Sequence, residues 1–198
     1  MNAAGPRIGS VERRTSETEI EVTVNLDGEG TAEVDTGIGF LDHMLTALAK
    51  HGRLDLRMAV QGDLEIDDHH TAEDAALALG QAIDRALGDR AGIRRFAHAY
   101  APLDEALARV VIDFSGRPSA HVDTGFRREM VGHVATENLT HFFHSLASTA
   151  RMTLHVDVLK GDNDHHRAEA AFKALALALR QAVALDGGKG VPSTKGVL

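Results

Sequence analysis

The chain contains no cysteine, so disulfides and thiolate-held metals are excluded, and any ion it carries must rest on imidazole and carboxylate. Long apolar runs are missing too. Residues 1–17, MNAAGPRIGSVERRTSE, hold no apolar stretch of signal-peptide length, and nothing elsewhere approaches the roughly 20 residues of a membrane span. No basic block stands out. A formal net charge of -8 argues against a general nucleic-acid binder, which needs cations to neutralise phosphates. What remains is the composition of a soluble globular protein, 43% hydrophobic and 25% charged, outside the range of disordered chains. A cytoplasmic location is expected. At 198 residues there is enough chain for a sizeable core, as one domain or two small ones.

Histidine is abundant, twelve in all, and the histidines cluster. Asp68, His69, His70 and Glu73 in DDHHTAED have a second copy in Asp164, His165, His166 and Glu169 of NDHHRAEA. Each carboxylate follows its imidazoles by three and four residues where an apolar pattern of helical period begins, so each glutamate shares a helix face with a histidine one turn back. Neighbouring helical residues point roughly 100° apart, so His69 and His70 more easily serve two ions than one. The copies belong to a duplication: shifted by 96 positions, residues 68–87 agree with 164–183 at ten of 20 sites, five of them alanine. His43 falls on His141 with a shift of 98. Eight ligands are expected: His43, His69, His70, Glu73, His141, His165, His166 and Glu169. That is four per ion if two ions share them, and a six-coordinate ion would keep positions open for a substrate and a water.

The rest of the chain reads as a small α/β protein of α+β type. In the first half Glu19 to Leu26 alternates as a half-buried strand, Thr31 to Val34 is a second short strand, and TGIGFLDHMLTALAKHG enters a helix carrying His43 and His51. Leu54 to Val60 alternates again, and the next helix buries Ala72, Ala75, Ala76, Leu79, Ile83 and Leu87 before ending near Gly88 to Gly92. The second half repeats the order strand, strand, helix, strand, helix: Leu107 to Phe114, Ser119 to Val122, the ENLTHFFHSLASTA helix with His141 and His144, Met152 to Val158, and a last helix through Val183. Arg127 to Thr136 carries no clear pattern. The expected division is residues 1–93 and 94–186 as two repeats of one compact unit, with 187–198 a glycine-rich loop or arm.

Blander readings stand beside these. Asp68 and Asp164 fit helix N-caps. His51 and His144 have only Thr149 and Thr46 as counterparts, and suit a structural role equally. Lone arginines are usually solvated, yet Arg95 in GIRRF and Arg117 beside Pro118 in a turn stand where a guanidinium fork could hold an anion. Asp104-Glu105 and Glu17, in the Glu-Thr that ends SVERRTSET, could supply a general base.

Seven blocks appear in order: TGIGFLDHMLTALAKHG, DDHHTAEDAALALG, GIRRFAHAYAPLDEAL, DFSGRP, HFFHSLA, DHHRAEAAFKALALALRQAV and PSTKGVL. Together they resemble the imidazoleglycerol-phosphate dehydratase family of histidine biosynthesis, from about Arg7 to Leu198. Gly39 stands where many members have proline, and Arg127 to Thr136 matches weakly. The resemblance implies a duplicated unit like the second domain of ribosomal protein S5, and a monofunctional lyase. It implies dehydration of imidazole glycerol phosphate to imidazole acetol phosphate, through a di-manganese-bound imidazolate and a diazafulvene-like intermediate. It implies two Mn2+ per active site on the eight ligands named. Glu17, His51, Asp104 and Lys173 are then expected to be catalytic, and Glu17, His51, Arg95, Arg117, Lys173, Ser193 and Lys195 to bind substrate, with Arg95, Arg117, Ser193 and Lys195 on its phosphate. It further implies a homo-oligomer of 24 subunits built from trimers, its sites shared between neighbours. The alternatives are another two-metal hydrolase or isomerase on the same scaffold, and a non-catalytic metal-buffering protein.

Overall fold

Alternation along the strands sets the architecture, because each sheet buries one row of side chains and leaves the other outside. In the computed structural model, which describes residues 5–188, 190–196 and 198, the first half runs β1 (Ile8–Arg14), β2 (Thr18–Asn25), β3 (Ala32–Asp35), α1 (Gly39–Gly52), β4 (Asp55–Gly62) and α2 (His69–Leu87). The second half repeats this as β5 (Phe96–Leu103), β6 (Ala106–Asp113), β7 (Ser119–Asp123), α3 (Thr136–Thr149), β10 (Thr153–Lys160) and α4 (Asp164–Ala182). A short hairpin of β8 (Met130–Val131) and β9 (Val134–Ala135) precedes α3. The parts of the expected polar start and glycine-rich tail that fall on Met1–Ala4, Lys189 and Val197 lie outside the described residues.

Each four-stranded sheet therefore takes three of its strands from before the half's first helix, not two. The missed strands, β1 and β5, form the outer edge of their sheets, in the orders β1-β2-β4-β3 and β5-β6-β10-β7. Their buried rows are too slight to read: Gly9 and Val11 in β1, and Ala97, Ala99 and Ala101 in β5. Small residues are needed there because the helices come close. A Cβ on Gly9 would lie 2.0 Å from the Ala82 carbonyl oxygen of α2. In both sheets the third strand pairs parallel to the fourth while the other pairings are antiparallel.

Helices of the two halves meet between the sheets. α2 lies on β1 and β2 and packs on α3, while α4 lies on β5 and β6 and packs on α1. The six apolar residues expected to face inward on α2 are all buried, as are Leu54, Leu56, Met58 and Val60. Phe142, Phe143 and Phe172 fill the centre of the second half with rings at tilted or edge contacts. No helix among the described residues is long and apolar enough to cross a membrane. Gly39, the departure from family proline, is the first residue of α1 with open space about it, a position where proline is also well accepted.

Candidate active site

The two histidine-pair helices start on equivalent turns. Asp67 Oδ1 accepts from the His69 backbone N–H at 2.8 Å, and Asn163 Oδ1 from that of His165 at 2.9 Å. These neighbours, equivalent under the 96-residue shift, make the cap-like contacts. Asp68 and Asp164 do not cap: the carboxylate of Asp68 makes no such bond, and Asp164 is the first residue of α4. Their oxygens face the connection ahead of α3 instead, accepting from Ala135 N–H and from the Arg127 and Arg128 N–H groups.

Helical spacing, with the packing of α1 on α4 and of α3 on α2, brings six of the eight expected ligands into two groups: His43 with His165 and Glu169, and His69 with Glu73 and His141. Each joins residues of both halves. In the first, His43 Nε2 and His165 Nε2 lie 3.1 and 3.4 Å from Glu169 Oε2. In the second, His69 Nε2 and His141 Nε2 lie 3.4 and 3.2 Å from the Glu73 oxygens. Ligand atoms within a group are all within 4.8 Å of one another.

His70 and His166 point away from both groups. His70 Nδ1 is 3.0 Å from Asp63 and its Nε2 is 3.8 Å from Glu17. His166 Nδ1 is 2.7 Å from Glu105 and its Nε2 is 4.0 Å from Asp104. Each half thus sets a carboxylate from its first hairpin near the free nitrogen of its second histidine. Hydrogen bonding to the Asp63 carboxylate raises His70 above the ordinary imidazole range, as Glu105 raises His166. Backbone N–H of Asn163, then His166, then the N–H of Asp162 hold Glu105 down at about 2.

The donor set fits a divalent transition metal. Borderline ions take neutral imidazole and carboxylate, and a ligating histidine usually anchors one ring nitrogen on an acceptor to present the other. Asp63, Glu105 and Asn138 do this for His70, His166 and His69, the last with Asn138 Oδ1 at 2.9 Å from Nδ1. Asn138 was not foreseen, nor was Asp63, and the repeat gives no signal for either: the counterpart of Asn138 is Phe40, whose ring packs on His165 at 5.0 Å. One group is therefore flanked by an amide where the other has a phenyl ring.

Lys173 reaches Glu169 Oε1 at 2.5 Å, while Leu77 occupies the equivalent place in the first half. Burial would raise Glu169, but Lys173 and His43 bring it below its ordinary value. His51 is held low by partial burial and then by the Lys173 ammonium, which sets it beside the first group. His144 is lowered by burial, then by His141 and His121, and is not among the grouped ligands.

The expected phosphate contacts are elsewhere in the chain. Arg95 forks onto Asp113 at 2.6 and 3.2 Å and donates to the Pro192 carbonyl at 2.8 Å. Arg117 donates to Ser115 O, Ser193 Oγ accepts from the Lys195 N–H, and Leu198 comes up against Gly116. The backbone of Arg95 bonds to Ala182 O at the end of α4. His165 is at the beginning, and 17 residues at 1.5 Å each separate them by about 25 Å. A broad depression of about 520 Å³ also lies away from both groups, on the outer face of the second sheet against Phe96, His98, Val111 and His155.

Comparison with known proteins matches the family model "Imidazoleglycerol-phosphate dehydratase" over residues 36–179. The chain belongs to the imidazoleglycerol-phosphate dehydratase family. Among dehydratases of this name, that of Zymomonas mobilis is 58% identical over 97% of this chain and 99% of its own length. A Phytophthora nicotianae relative is 60% identical over 98% of this chain, which spans 43% of that longer protein. The Pyrococcus furiosus dehydratase, solved in complex with (S)-C348, superposes with a TM-score of 0.83 at 39% identity, covering 95% of this chain and all of that one. Membership makes the chain a hydro-lyase, and its dehydratase fold is the duplicated α/β unit described above.

Proposed function

We propose that the chain converts imidazole glycerol phosphate to imidazole acetol phosphate and water in L-histidine biosynthesis, in the cytoplasm, at sites that hold two Mn2+ and are completed by neighbouring copies of the chain. The observation that carries this reading is the pair of equivalent His–Glu–His groups, each built from both halves, with every histidine Nε2 turned to its carboxylate. Ions held by these six residues, with His70 and His166 contributed from another copy, would polarise a bound imidazole and ease loss of its ring proton.

The remaining work falls to side chains. Electrons from the ring expel the neighbouring hydroxyl as water, giving a diazafulvene-like form of the substrate; loss of a C–H proton yields an enol, which becomes the ketone. Glu17, near the free nitrogen of His70, is the acid–base group we favour for these transfers, with Asp104 its counterpart near His166. His51 and Lys173 border Glu169 and hold the substrate there. Arg95, Arg117, Ser193 and Lys195 bind the phosphate, and the distance of Arg95 from the first His–Glu group of the same chain supports a site in which phosphate and ring are held by different copies. Phe96 and Tyr100, 55% and 52% exposed on the open face of the second sheet, support an assembled state, for which trimers combining to 24 subunits is the proposed form.

The deciding experiment assays purified protein on imidazole glycerol phosphate after stripping with a chelator and again after Mn2+ is restored. Turnover should vanish and return. Activity that survives complete stripping would sink the metal reading, and no turnover after reloading would sink the substrate.

A further inference from the structure

The connection between β7 and α3 is where the halves differ most. Ala32 pairs with Leu56 and Ala120 with Leu154, so β3 and β7 are 88 positions apart in sequence while β4 and β10 are 98 apart. The second half thus carries ten extra residues there, in the stretch whose sequence is least readable. Their contacts go to the first turns of both α2 and α4, beside the two His–Glu groups. At one end Asp164, 1% exposed, accepts the Arg127 and Arg128 N–H groups on one oxygen, at 2.8 and 2.7 Å. Buried Arg167, one turn along α4, adds bonds to Thr124 O and Gly125 O at 3.3 and 2.8 Å. At the other end Ala135 donates to Asp68 at 2.7 Å, and Asn138 holds His69. In the middle the hairpin tip turns at Gly132 (φ 61°), where a Cβ would sit 3.2 Å from that of Phe40, and Phe40 packs on His165.

We propose that residues 124–138 form a strap that fixes the first turns of α2 and α4 relative to each other, with Asp68 and Asp164 as positioning residues. These two aspartates occupy equivalent places in the repeat, immediately before the histidine pairs. Because Asp67 and Asn163 make the cap-like contacts, both carboxylates are free to grip the one inserted segment from opposite ends. Neither touches an expected ligand; each acts by holding backbone. The strap sets where His69 and His165 stand before any ion arrives, which reduces the ordering left for binding to do. This inference rests on the metal reading of the two groups.

The test uses the full chain and aqueous Mn2+, followed by the electron paramagnetic resonance signal of the free ion. Asp68→Ala leaves the Ala135 N–H without its acceptor and is expected to weaken Mn2+ binding about ten-fold, at the lower edge of what is lost when a supporting partner is removed. Asp68→Asn keeps an acceptor oxygen and should stay within about three-fold of the unaltered chain. Unaltered binding by a folded Asp68→Ala chain overturns the proposal, and so does equal weakening by both variants. Hydrogen exchange on the metal-free, unaltered protein needs neither an ion nor a variant. The amides of Arg127, Arg128 and Ala135 should exchange as slowly as those in the interior of α2 and α4; exchange at the rate of an open loop refutes the strap. If the unaltered chain takes up no Mn2+, the metal reading fails by itself, while the exchange rates still decide whether the segment is held.

Discussion

His70 turns Nδ1 to Asp63 and leaves Nε2 free, and this division fixes how metal uptake should respond to acid. The carboxylate favours the protonated ring, so His70 keeps its proton to a higher pH than an isolated imidazole. In the proposed ligand role of His70, a metal must displace that proton. Mn2+ affinity is therefore expected to fall with decreasing pH from a point above the ordinary imidazole range, with His166 contributing in the same direction. Asp63→Asn lowers the His70 value, so its fall should begin at lower pH. At high pH the variant should bind about ten-fold more weakly, because the ring is no longer oriented by a charge. Mn2+ titrations at a series of pH values check both parts. A midpoint that does not move in Asp63→Asn would show that His70 is not a ligand.

Among the elements, the contact of α2 with α3 shows how closely the halves are fitted. Gly80 lies inside α2, where alanine would ordinarily favour the helix by about 0.5–1 kcal/mol. Its Cβ, however, would meet Thr149 Oγ1 at 2.1 Å, Leu146 O at 2.7 Å and Ala150 N at 2.8 Å. Two of those atoms are backbone and cannot turn aside, and overpacking costs about 1–3 kcal/mol. Gly80→Ala should therefore lower stability by about 1–2 kcal/mol net, read as an earlier urea midpoint with unchanged slope. A stability gain would mean that α2 and α3 separate easily enough to admit the methyl group. The same closeness explains what could be read in the sequence. Helices and inner strands were legible because Leu, Ile, Met and Val mark their buried faces at periods of 3.6 and 2. β1 and β5 were not, because glycine and alanine line the surface against which a helix presses. The cap assignment failed for a related reason: Asp67 and Asp68 are both plausible caps by residue type, and only the fold shows that Ala135 arrives to occupy Asp68.

For the whole molecule, the repeated histidine motifs disclosed the two His–Glu groups, since duplication doubled the signal. No pattern in one chain could disclose that Arg95 is at the far end of α4 from His165, or that Asn138 and Asp63 bond to His69 and His70, for neither has a sequence equivalent in the other half. That separation has a consequence for mixed assemblies. Arg95→Ala leaves both His–Glu groups whole but removes a proposed phosphate contact, and Glu169→Ala does the reverse. Each variant alone should be nearly inactive. Co-expressed in equal amounts in one oligomer, they can pair an intact His–Glu group from the first chain with an intact Arg95 from the second. About a quarter of the sites would then be complete if subunits assort at random around a closed assembly. Activity returning on co-expression, and absent when the separately assembled variants are merely mixed, is the expected result. If every site were built within one chain, no combination of the two could recover turnover. The single helix that separates Arg95 from His165 would then have to bend back on itself, which α4, with its two ends anchored at Arg95 and Asp164, has no means to do.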